Sequence, residues 1–370
     1  MPNLQVTLFR DFAEDRRISM EVYADGLSQT LQARFPERCQ VREYQPHVPD
    51  WLGQGNWRMR VSRFSLYPWQ ARRHQGQINH ILDHGYGHLL YLITPERTVV
   101  TVHDLIPLVR WCGCIPGLSR GRKPWLNLIS FNALRRARHI IAVSENTRRD
   151  LIRFCKCAPG RISVINSVID PIFKPCSAAD KVRIRSALGL CQSQTCLVLM
   201  MGSQIYKNNL GALRAFAHLR AIYPGSLQLL KTGMPNPEWS QAVEQLTLGE
   251  NARCLGPLLR TQLPDLYKAA DCLLFPSWYE GFGWPPLEAM ASGTPVVASN
   301  VASLAEVIAD AGFMCDPKDE PGLAQAMYAV LTNSQLRQDM IERGLKRARL
   351  FTWEKTAQKT LEVYEGVSRK

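Results

Sequence analysis

Short apolar or β-branched runs alternate with amphipathic segments along most of the chain. The runs that we predict as strands are LQVTLF (4–9), TVVTVHD (98–104), HIIAVS (139–144), RISVINS (161–167), CLVLMMG (196–202), LQLLKTG (227–233), CLLFPS (272–277) and PVVAS (295–299). Several lack the apolar–polar alternation of a half-exposed strand, which is typical of parallel strands covered on both faces. The segment 208–223 instead carries apolar residues at helical spacing, from Leu210 to Leu219. Strands that alternate with helices in this way predict an α/β fold with parallel sheets.

The alternating pattern breaks at DPIFKPCSAAD (170–180), where two prolines and several small residues separate two series of strands and helices. We therefore predict two doubly wound, Rossmann-like domains, residues 1–170 and residues 181–352, joined by a linker at this break. The closing segment, residues 353–370, is predicted to be an amphipathic helix. In sheets of this kind, ligands bind outside the carboxyl ends of the strands.

The composition of the 370-residue chain, with 46% hydrophobic and 21% charged residues, is that of an ordinary globular protein. No window approaches the roughly 20 consecutive apolar residues of a membrane helix, and the N-terminal MPNLQVTLFRDFAEDRR does not resemble a signal peptide. The 11 cysteines are scattered, and the closest pairs have C-x-C rather than the C-x₂-C spacing of common zinc sites. We therefore expect reduced thiols in a cytoplasmic protein.

Positive charge is concentrated in the first half of the chain. Residues 1–180 contain 25 Lys or Arg against 15 Asp or Glu, whereas the remainder contains 20 against 17. A basic half suggests a polyanionic partner, and the densest stretches are RGRKPW (120–125) and NALRRARH (132–139). Because Trp111 and Trp125 accompany these cations, the interpretations are peripheral binding to an anionic membrane at its cytoplasmic face or an ordinary solvated helix face. No recognised nucleic-acid-binding motif accompanies the charge, so no nucleic-acid partner is expected.

The stretch FPSWYEGFGWPPLEAMASGTPVVAS (275–299) places two carboxylates around a glycine-bracketed turn. Glu280 lies just beyond the carboxyl end of a predicted strand. Pro285 and Pro286 suit the first turn of a helix, where a missing N–H group costs nothing, so Glu288 is predicted about one turn inside that helix. The turn then lets both carboxylates face the same ligand from different heights.

The turn itself favours an anion, because Gly281 and Gly283 leave backbone N–H groups unobstructed beside the helix start. Carboxylates are poor phosphate ligands, but they accept hydrogen bonds from hydroxyl groups. A nucleotide sugar has diols on both sides of a diphosphate. We therefore predict that Glu288 holds the ribose, that the turn amides meet the diphosphate and that Glu280 binds the transferred sugar. The alternative interpretation is a surface turn whose glutamates stabilise a helix N-terminus.

A second candidate for phosphate binding is MMGSQIYKNN (200–209), which follows another predicted buried strand. Gly202 and Ser203 suggest a tight turn at the end of that strand, and the compact charged group of Lys207 is suited to phosphate oxygens. The segment is not a Walker loop, because the G-x-x-x-x-G-K-[ST] spacing is missing. A single lysine is most often a solvated side chain, so Lys207 alone does not establish a site.

The stretch PSWYEGFGWPPLEAMASGTPVVAS resembles the signature of the retaining glycosyltransferases of family 4, whose E-x₇-E pattern is matched by Glu280 and Glu288. The segments GSQIYKNN, LPDLYKAADCLLFPS and FTWEKTAQKTLEVY extend the resemblance over the second half of the chain. The resemblance implies the GT-B fold, an α/β architecture of two Rossmann-like domains that face a cleft. It also implies that the last helix, 353–370, crosses back to the N-terminal domain.

The resemblance assigns roles residue by residue. Glu280 would contact the donor sugar, Glu288 the ribose and Lys207 the phosphates, while Tyr206 stands where the family commonly has an arginine. The donor-binding residues implied in this way are Gly202, Ser203, Lys207, Asn208, Glu280, Gly281, Phe282, Gly283, Leu287 and Glu288. A clamp of two cations from this loop alone is therefore not expected, and an arginine from elsewhere in the chain is a candidate substitute.

In the first half of the chain, TVHDLIPL (101–108) resembles the family segment at a strand end that faces the cleft. The resemblance implies that His103 points at the donor sugar near the reacting carbon, with Asp104 beside it. The catalytic residues implied by the resemblance are His103, Asp104, Lys207 and Glu280. Without the family, a lone His-Asp pair is more often structural.

The family's Gly-Gly loop after the first strand is not visible, and RDFAEDRRISMEVYADGL (10–27) stands there instead. From this loop we expect Arg16, Arg17 or Ser19 to close over the phosphates. The segment LDHGYGHLL (82–90) is interpreted as an acceptor-side loop. It carries His84, Tyr86 and His88, and the two histidines lack an evident third ligand for a metal.

These inferences predict transfer of a hexose from a nucleotide diphosphate sugar to a hydroxyl group of a glycan or lipid-linked acceptor in surface-polysaccharide or O-antigen synthesis. TVHDLIPL is similar to the segment of mannosyl- and rhamnosyl-transferring relatives, which favours GDP-mannose, with UDP-sugars close behind. No cofactor or metal is expected, because fixed cations stabilise the leaving diphosphate and the D-x-D pair of metal-dependent transferases is missing. The alternatives are a nucleotide-sugar epimerase or hydrolase on the same fold, and a non-catalytic nucleotide-sugar-binding protein.

Overall fold

The computed structural model describes residues 3–15, 17–55, 57–190, 195–234 and 237–369. The chain folds into two compact units. The first unit consists of Met1–Cys114, Ser119–Val168 and Phe351–Lys370, and the second of Ile115–Leu118 and Ile169–Leu350. Within the described residues, each unit contains one six-stranded parallel sheet, so the prediction of an α/β fold with two domains is confirmed.

The sheet of the first unit winds in two directions from its first strand. Its strands are β1 (Leu4–Phe9), β2 (Cys39–Tyr44), β3 (Ile78–Ile81), β4 (Thr98–Val102), β5 (His139–Ala142) and β6 (Ile162–Val164). Their order is β2-β1-β3-β4-β5-β6, and all neighbours are parallel. The order reverses between β1 and β3, and ligands of open α/β sheets bind beside the carboxyl ends of strands at such a point.

The sheet of the second unit has the strand order of the Rossmann fold. Its strands are β7 (Cys196–Met200), β8 (Leu227–Lys231), β9 (Ala252–Cys254), β10 (Cys272–Phe275), β11 (Val296–Ser299) and β12 (Phe313–Cys315). The order is β9-β8-β7-β10-β11-β12, again with parallel neighbours, and it reverses between β7 and β10.

Helices connect the strands of both sheets. They are α1 (Ile18–Arg34), α2 (Trp57–Val61), α3 (Tyr67–Ala71), α4 (Ile106–Trp111), α5 (Trp125–Ala133), α6 (Glu145–Cys155), α7 (Ala178–Ala187), α8 (Asn209–Ile222), α9 (Pro237–Gln245), α10 (Leu263–Ala269), α11 (Trp284–Ala291), α12 (Leu304–Ile308), α13 (Glu320–Thr332), α14 (Ser334–Ala348) and α15 (Trp353–Ser368). None of the helices in the described ranges combines the length and the apolar character needed to cross a membrane.

The last helix, α15, belongs to the core of the first unit, as predicted. Leu361 and Tyr364 are fully buried. The Tyr364 hydroxyl lies 2.6 Å from Nδ1 of His80 on β3, and Nε2 of His80 lies 2.8 Å from the Thr101 hydroxyl on β4. Burial lowers the pKa of His80 to about 3, so this histidine links the helix to the sheet as a neutral hydrogen-bonding group.

Helix α8 packs against the second sheet through Leu213, Phe216 and Leu219, which are fully buried. The helix predicted over 208–223 is present as α8, but Leu210 in its first turn is 36% exposed. Residues nine apart in a helix point in opposite directions, since each residue turns the chain by about 100°. Leu210 therefore faces away from Leu219.

Candidate functional site

The switch point of the second sheet brings together two side chains that the sequence analysis singled out. Lys207 follows β7 and Glu280 follows β10, and these strands are neighbours. The Lys207 ammonium donates a 2.8 Å hydrogen bond to Oε1 of Glu280, and both residues are buried. The ammonium also lies 4.5 Å from the centre of the Phe275 ring. A cation and a carboxylate are thus fixed side by side at the ligand-binding edge of a Rossmann sheet.

The loop after β7 is held by its own backbone geometry. Gly202 has φ of 90° and Asn208 has φ of 55°, both in the left-handed region. The Asn208 side chain accepts a hydrogen bond from the Gly211 N–H group and donates one to the Pro317 carbonyl, which caps the start of α8. Lys207 is positioned between these two turns.

Ser203, another predicted donor-binding residue, is tied to the neighbouring loop after β8. Its hydroxyl donates to the Met234 carbonyl over 2.9 Å and accepts from the Lys231 ammonium over 3.0 Å. Lys231 is almost completely buried, and burial lowers its pKa. Ser203 therefore helps to join the loops that follow two adjacent strands.

The glycine turn before α11 is fixed by Ser303. Its hydroxyl lies 3.0 Å from the carbonyl oxygen of Glu280 and 2.7 Å from that of Phe282. Gly283 has φ of 112°, and a Cβ atom there would lie 2.8 Å from a methyl group of Leu304. The turn thus requires glycine both for its backbone conformation and for the close approach of Leu304.

Glu288 lies in the second turn of α11, which begins at Trp284 as the two prolines predicted. The Tyr267 hydroxyl donates a 2.8 Å hydrogen bond to Oε2 of Glu288, and Nη1 of Arg260 lies 3.8 Å from Oε1. Burial raises the pKa of Glu288, whereas the Tyr267 hydrogen bond and the Arg260 charge oppose this shift. Leu287, which the resemblance also placed in the donor site, is fully buried.

Arg260 and Tyr267 contribute to the site without having been assigned a role from the sequence. Arg260 is held in turn by Asp170, whose Oδ2 lies 3.0 Å from its Nη2 atom. Tyr267 occurs in the quoted segment LPDLYKAADCLLFPS, but its hydrogen bond reaches 21 residues along the chain. No local pattern indicates either contact, although Tyr206 had suggested that an arginine from elsewhere could substitute in the phosphate loop.

In the first unit, His103 lies just beyond β4 and is buried. Its Nε2 atom is 2.9 Å from the Leu82 carbonyl, which can only accept, so Nε2 carries the proton. The ring of Tyr23 meets the imidazole edge to face at 4.9 Å. Burial lowers the pKa of His103, which leaves it neutral with a lone pair on Nδ1. The neighbouring Asp104 accepts a 2.9 Å hydrogen bond from the Ile106 N–H group at the start of α4.

The acceptor-side candidates in the first unit have different surroundings. Arg17 forms an ion pair with Asp83, and Nδ1 of His84 lies 3.2 Å from the same carboxyl group. Tyr86 donates its hydroxyl hydrogen bond to Asp15. Ser19 is exposed in the first turn of α1, and Arg16 lies outside the described residues.

Asp11, which the sequence analysis did not single out, is a buried acid next to this group. Burial and the nearby Asp83 carboxylate raise the pKa of Asp11 to about 9. The pKa of Asp83 is lowered by His84 and Arg17. The two carboxyl groups therefore hold one proton between them at neutral pH.

The described residues do not assemble a metal-binding cluster. No group of three or more His, Cys, Asp or Glu side chains among them is arranged to hold an ion. His88 is engaged elsewhere, because its Nε2 lies 2.7 Å from the Arg63 carbonyl and its Nδ1 3.0 Å from the Ser130 hydroxyl. The ten cysteines within the described ranges are free thiols, and Cys191 lies outside them.

Sequence comparisons place the chain in a family. Residues 6–172 match the family described as Glycosyltransferase Family 4, and residues 192–347 match Glycosyl transferases group 1. O-antigen chain mannosyltransferase B of Escherichia coli is 31% identical over 302 residues, which cover 80% of this chain and 76% of that protein. D-inositol 3-phosphate glycosyltransferase 2 of Catenulispora acidiphila is 33% identical over 292 residues, or 75% of this chain and 68% of that protein.

Solved structures show the same fold. Sucrose-phosphate synthase from Thermosynechococcus elongatus superposes with a TM-score of 0.76 over 98% of this chain and 99% of that chain, at 19% identity. WaaG, a glycosyltransferase involved in lipopolysaccharide biosynthesis, gives a TM-score of 0.73 over 98% and 100%, at 17% identity. The fold and the family matches thus agree. The chain belongs to glycosyltransferase family 4, has the GT-B fold and is a glycosyltransferase, as the E-x₇-E pattern indicated.

Proposed function

We propose that this glycosyltransferase moves a hexose from a nucleotide diphosphate sugar to a hydroxyl group of a glycan or lipid-linked acceptor, with retention at the anomeric carbon. The observation that carries the proposal is the pairing of Lys207 with Glu280 at the switch point of the second sheet, with Glu288 near enough for the Lys207 charge to lower its pKa. Such a set provides one cation for a leaving diphosphate and two carboxylates for the hydroxyl groups on either side of it.

In this proposal Glu288 binds the ribose of the donor. The Tyr267 hydroxyl already occupies one carboxylate oxygen and fixes the orientation of the side chain. The other oxygen, Oε1, has Arg260 at 3.8 Å and keeps capacity to accept from a ribose hydroxyl. Because Arg260 is a cation beside this carboxylate, it also provides the second positive charge that Tyr206 does not supply.

The diphosphate would approach Lys207, while Glu280 would lie against the sugar. In the transition state, positive charge develops on the sugar ring and negative charge on the departing phosphate. A carboxylate near the first charge and an ammonium near the second stabilise both without any reorganisation. The existing pair between Lys207 and Glu280 keeps both groups in position before the donor arrives.

Retention is proposed to result from attack on the sugar face that the leaving group departs from. The acceptor oxygen forms the new bond to the anomeric carbon, the bond from that carbon to the phosphate oxygen breaks, and the acceptor proton passes to the departing phosphate. This route needs no protein nucleophile. A covalent sugar adduct trapped on Glu280 or Asp104 would contradict it.

His103 is proposed to contact the donor sugar as a neutral hydrogen-bond acceptor rather than as a cation. Its Nε2–H group is committed to the Leu82 carbonyl, so only Nδ1 is free to accept. Replacement by Asn, which retains an acceptor, is then expected to reduce the turnover number less than replacement by Ala. An equal reduction of the turnover number in the two variants would contradict this role for His103.

GDP-mannose is the favoured donor in the proposal. Support comes from the names of two relatives, O-antigen chain mannosyltransferase B and Serotype-specific mannosyltransferase WbdA, both of Escherichia coli. Their names also support a surface-polysaccharide acceptor. D-inositol 3-phosphate glycosyltransferases are also among the relatives, so other donors and acceptors must be tested as well.

The experiment that tests the proposal is a thermal-shift screen with UDP-, GDP-, ADP- and dTDP-sugars, followed by analysis of the product anomer by NMR. We expect GDP-mannose to give the largest shift, and Glu288→Gln but not Glu354→Gln to reduce it. Glu354 is an exposed glutamate on α15 and serves as a matched control. Free sugar released equally fast with and without acceptor would instead identify a hydrolase, and binding without any turnover a non-catalytic protein.

Metal independence is also a proposal. Lys207 and Arg260 would supply the positive charge that a divalent cation supplies in other transferases. Transfer activity is therefore expected to be unchanged after incubation with EDTA. A loss that Mg²⁺ or Mn²⁺ restores would show that the two side chains do not suffice.

A further inference from the structure

A groove at one edge of the first unit lies apart from the residues of the proposed reaction. It runs between β5, the edge strand β6 and the last helix, α15, and has a volume of about 660 Å³. We call it the α15 groove and define it by Arg138, Arg161 and Lys359, which line it. Arg138 directly precedes β5 and Arg161 directly precedes β6, whereas His103 follows the carboxyl end of β4. Because these strands are parallel, the two arginines and His103 lie at opposite ends of the sheet.

The three cations of the α15 groove come from distant parts of the chain and have no carboxylate partner. Within the described ranges, none of them forms an ion pair. Glu362 also lines the groove, but three cations and one carboxylate leave an excess of positive charge. Like charges held together repel one another, so an anion that enters the groove is attracted by all three cations.

The main chain fixes the positions of both arginines. The Arg138 N–H group lies 3.0 Å from each of the Pro95 and Thr98 carbonyl oxygens, and the Arg161 N–H group donates a 3.0 Å hydrogen bond to the Ala158 carbonyl. The side chain of Arg161 is exposed, and that of Arg138 is half-buried. A ligand therefore meets cations whose attachment points are already ordered, which reduces the entropy lost on binding.

Much of the remaining lining of the α15 groove is apolar. Val164 on β6 and Val363 and Val367 on α15 form part of it. Beside them, Nε2 of His139 lies 2.9 Å from the Ser163 hydroxyl, so these two polar side chains bind each other. Sites for small molecules combine apolar walls with a few placed polar groups and have volumes of about 300–1,000 Å³. The α15 groove has both properties.

The side chains of the groove indicate the chemistry of its ligand. Arginine presents paired N–H donors that match the oxygens of a phosphate group. Three cations balance the charge of a di- or triphosphate better than that of a single phosphate. The Glu362 carboxylate accepts hydrogen bonds and therefore suits hydroxyl groups, as in a ribose. Gln358 donates only a long, 3.4 Å hydrogen bond to Oε1 of Glu362, so this carboxylate keeps capacity for a ligand.

We propose that the α15 groove binds a nucleoside di- or triphosphate at a site separate from that of the sugar donor. Arg138, Arg161 and Lys359 contact the phosphates, Glu362 accepts from the ribose, and the valine side chains pack against the base. The ligand joins β5, β6 and α15, so its binding stabilises the first unit. The inference concerns a second ligand of the enzyme and does not depend on which donor the enzyme uses.

Two other occupants fit the α15 groove less well. A peptide added as a further strand would make few main-chain hydrogen bonds, because β6 spans only three residues. A second copy of the chain would bring the same three cations against each other, and like charges repel. A nucleoside polyphosphate, in contrast, supplies the negative charge, the hydroxyl groups and the flat apolar surface together.

Calorimetric titration of the full-length protein with ATP tests the proposal. Arg138→Gln/Arg161→Gln should weaken ATP binding about 100-fold, because each lost charge-assisted hydrogen bond costs roughly a factor of ten. Lys346→Gln/Arg349→Gln, which removes two exposed cations near the end of α14, is the matched control and should bind like the parent protein. Glu288→Gln should also bind like the parent, because the groove does not include the donor site.

Inorganic tripolyphosphate separates the phosphate contacts from the ribose contact. Glu362→Ala should weaken ATP binding about three- to tenfold, the effect of losing one hydrogen bond to a charged group. It should leave tripolyphosphate binding unchanged or stronger, because this probe has no hydroxyl groups and a repelling charge is removed. Glu354→Ala, at another exposed glutamate of α15, is the control and should change neither affinity.

Two results would overturn the proposal. The first is the absence of ATP binding at millimolar concentrations. The second is ATP binding that Glu288→Gln weakens and Arg138→Gln/Arg161→Gln does not, since the nucleotide would then occupy the donor site. Thermal unfolding of the ligand-free variants should match that of the parent protein. Lys359→Gln, a single change at an exposed side chain, provides the same test with the least risk to folding and should weaken ATP binding about tenfold.

Discussion

The ammonium group of Lys207 donates a 2.8 Å hydrogen bond to the carboxylate of Glu280, although 73 residues separate the two in the chain. The contact exists because the strands that precede these residues, β7 and β10, are neighbours at the point where the sheet order reverses. A cation for a leaving diphosphate and a carboxylate for a sugar are thereby joined before any donor binds. The proposed reaction depends on this pair.

Glu280→Gln is expected to lower the turnover number about 10²- to 10³-fold, because the positive charge of the transition state loses its carboxylate. The amide still accepts a hydrogen bond from Lys207, so the loop should stay in place. The donor KM is then expected to change much less than the turnover number. Steady-state kinetics with saturating acceptor measure both quantities. A fall in donor affinity with an unchanged turnover number would assign Glu280 to ground-state binding instead.

Tyr267→Phe removes only the hydroxyl group that orients Glu288. We expect the donor KM to rise about three- to tenfold, the effect of losing one ordinary hydrogen bond of roughly 1 kcal/mol, with little change in the turnover number. Tyr328→Phe, at a partly buried tyrosine on α13, provides a comparison in the same unit. An effect on turnover alone would show that Tyr267 does not act through nucleotide binding.

Most central strands could be predicted from the sequence, whereas three of the four edge strands could not. All eight runs predicted as strands contain one, because buried parallel strands form continuous apolar runs. Of the four missed strands, β2, β9 and β12 lie at sheet edges, whereas β3 lies between β1 and β4 and spans only four residues. β2 reads CQVREY and is half exposed, and β9 and β12 each span only three residues. Short or solvated strands leave a weak periodic signal.

Some residues of the candidate site could likewise be predicted from the sequence, whereas others could not. Glu280, Glu288 and Lys207 belong to local motifs at strand ends, so the sequence was sufficient to single them out. Arg260 and Asp11 were not recognised, because their contacts with Glu288 and Asp83 depend on how distant segments pack. A charged residue in a loop has no pattern that distinguishes it from a solvated one.

Gly283→Ala tests whether the turn before α11 is conformationally demanding. A φ of 112° and a contact of 2.8 Å between the new Cβ and Leu304 are both unfavourable. We expect the free energy of unfolding to fall by about 1–3 kcal/mol. Gly366→Ala is the control, because nothing lies near a Cβ there and Ala is the better helix former, so the second variant should be neutral or slightly more stable. Calorimetry of both variants provides the comparison.

Asp11 should make the first unit less stable as the pH rises. Its pKa is raised to about 9 in the folded protein. Between its unfolded pKa and this value the folded state retains a proton that the unfolded chain releases, so each pH unit costs up to about 1.4 kcal/mol. Asp83 has a lowered pKa and is ionised in both states at neutral pH, so it adds no slope there.

Asp11→Asn removes this dependence while retaining a donor for the Asp83 carboxylate. Between about pH 7 and about pH 8.5, above the range of unfolded histidines, urea unfolding of the variant should therefore weaken less with pH than that of the parent. Asp25→Asn, at an exposed acid in the same unit, should behave like the parent protein. Parallel pH profiles for all three proteins would show that Asp11 is ionised in the folded state.

Calorimetric titration tests most directly whether the two glutamates divide the donor between them. The ligands are the sugar nucleotide selected by the thermal-shift screen and its free nucleoside diphosphate, and the proteins are the parent, Glu280→Gln and Glu288→Gln. We predict that Glu288→Gln weakens binding of both ligands. Glu280→Gln should leave binding of the nucleoside diphosphate unchanged, because that ligand lacks the sugar, and should weaken binding of the sugar nucleotide far less than it lowers the turnover number. Unchanged affinities in both variants, or a loss of nucleoside diphosphate binding in Glu280→Gln alone, would contradict the account.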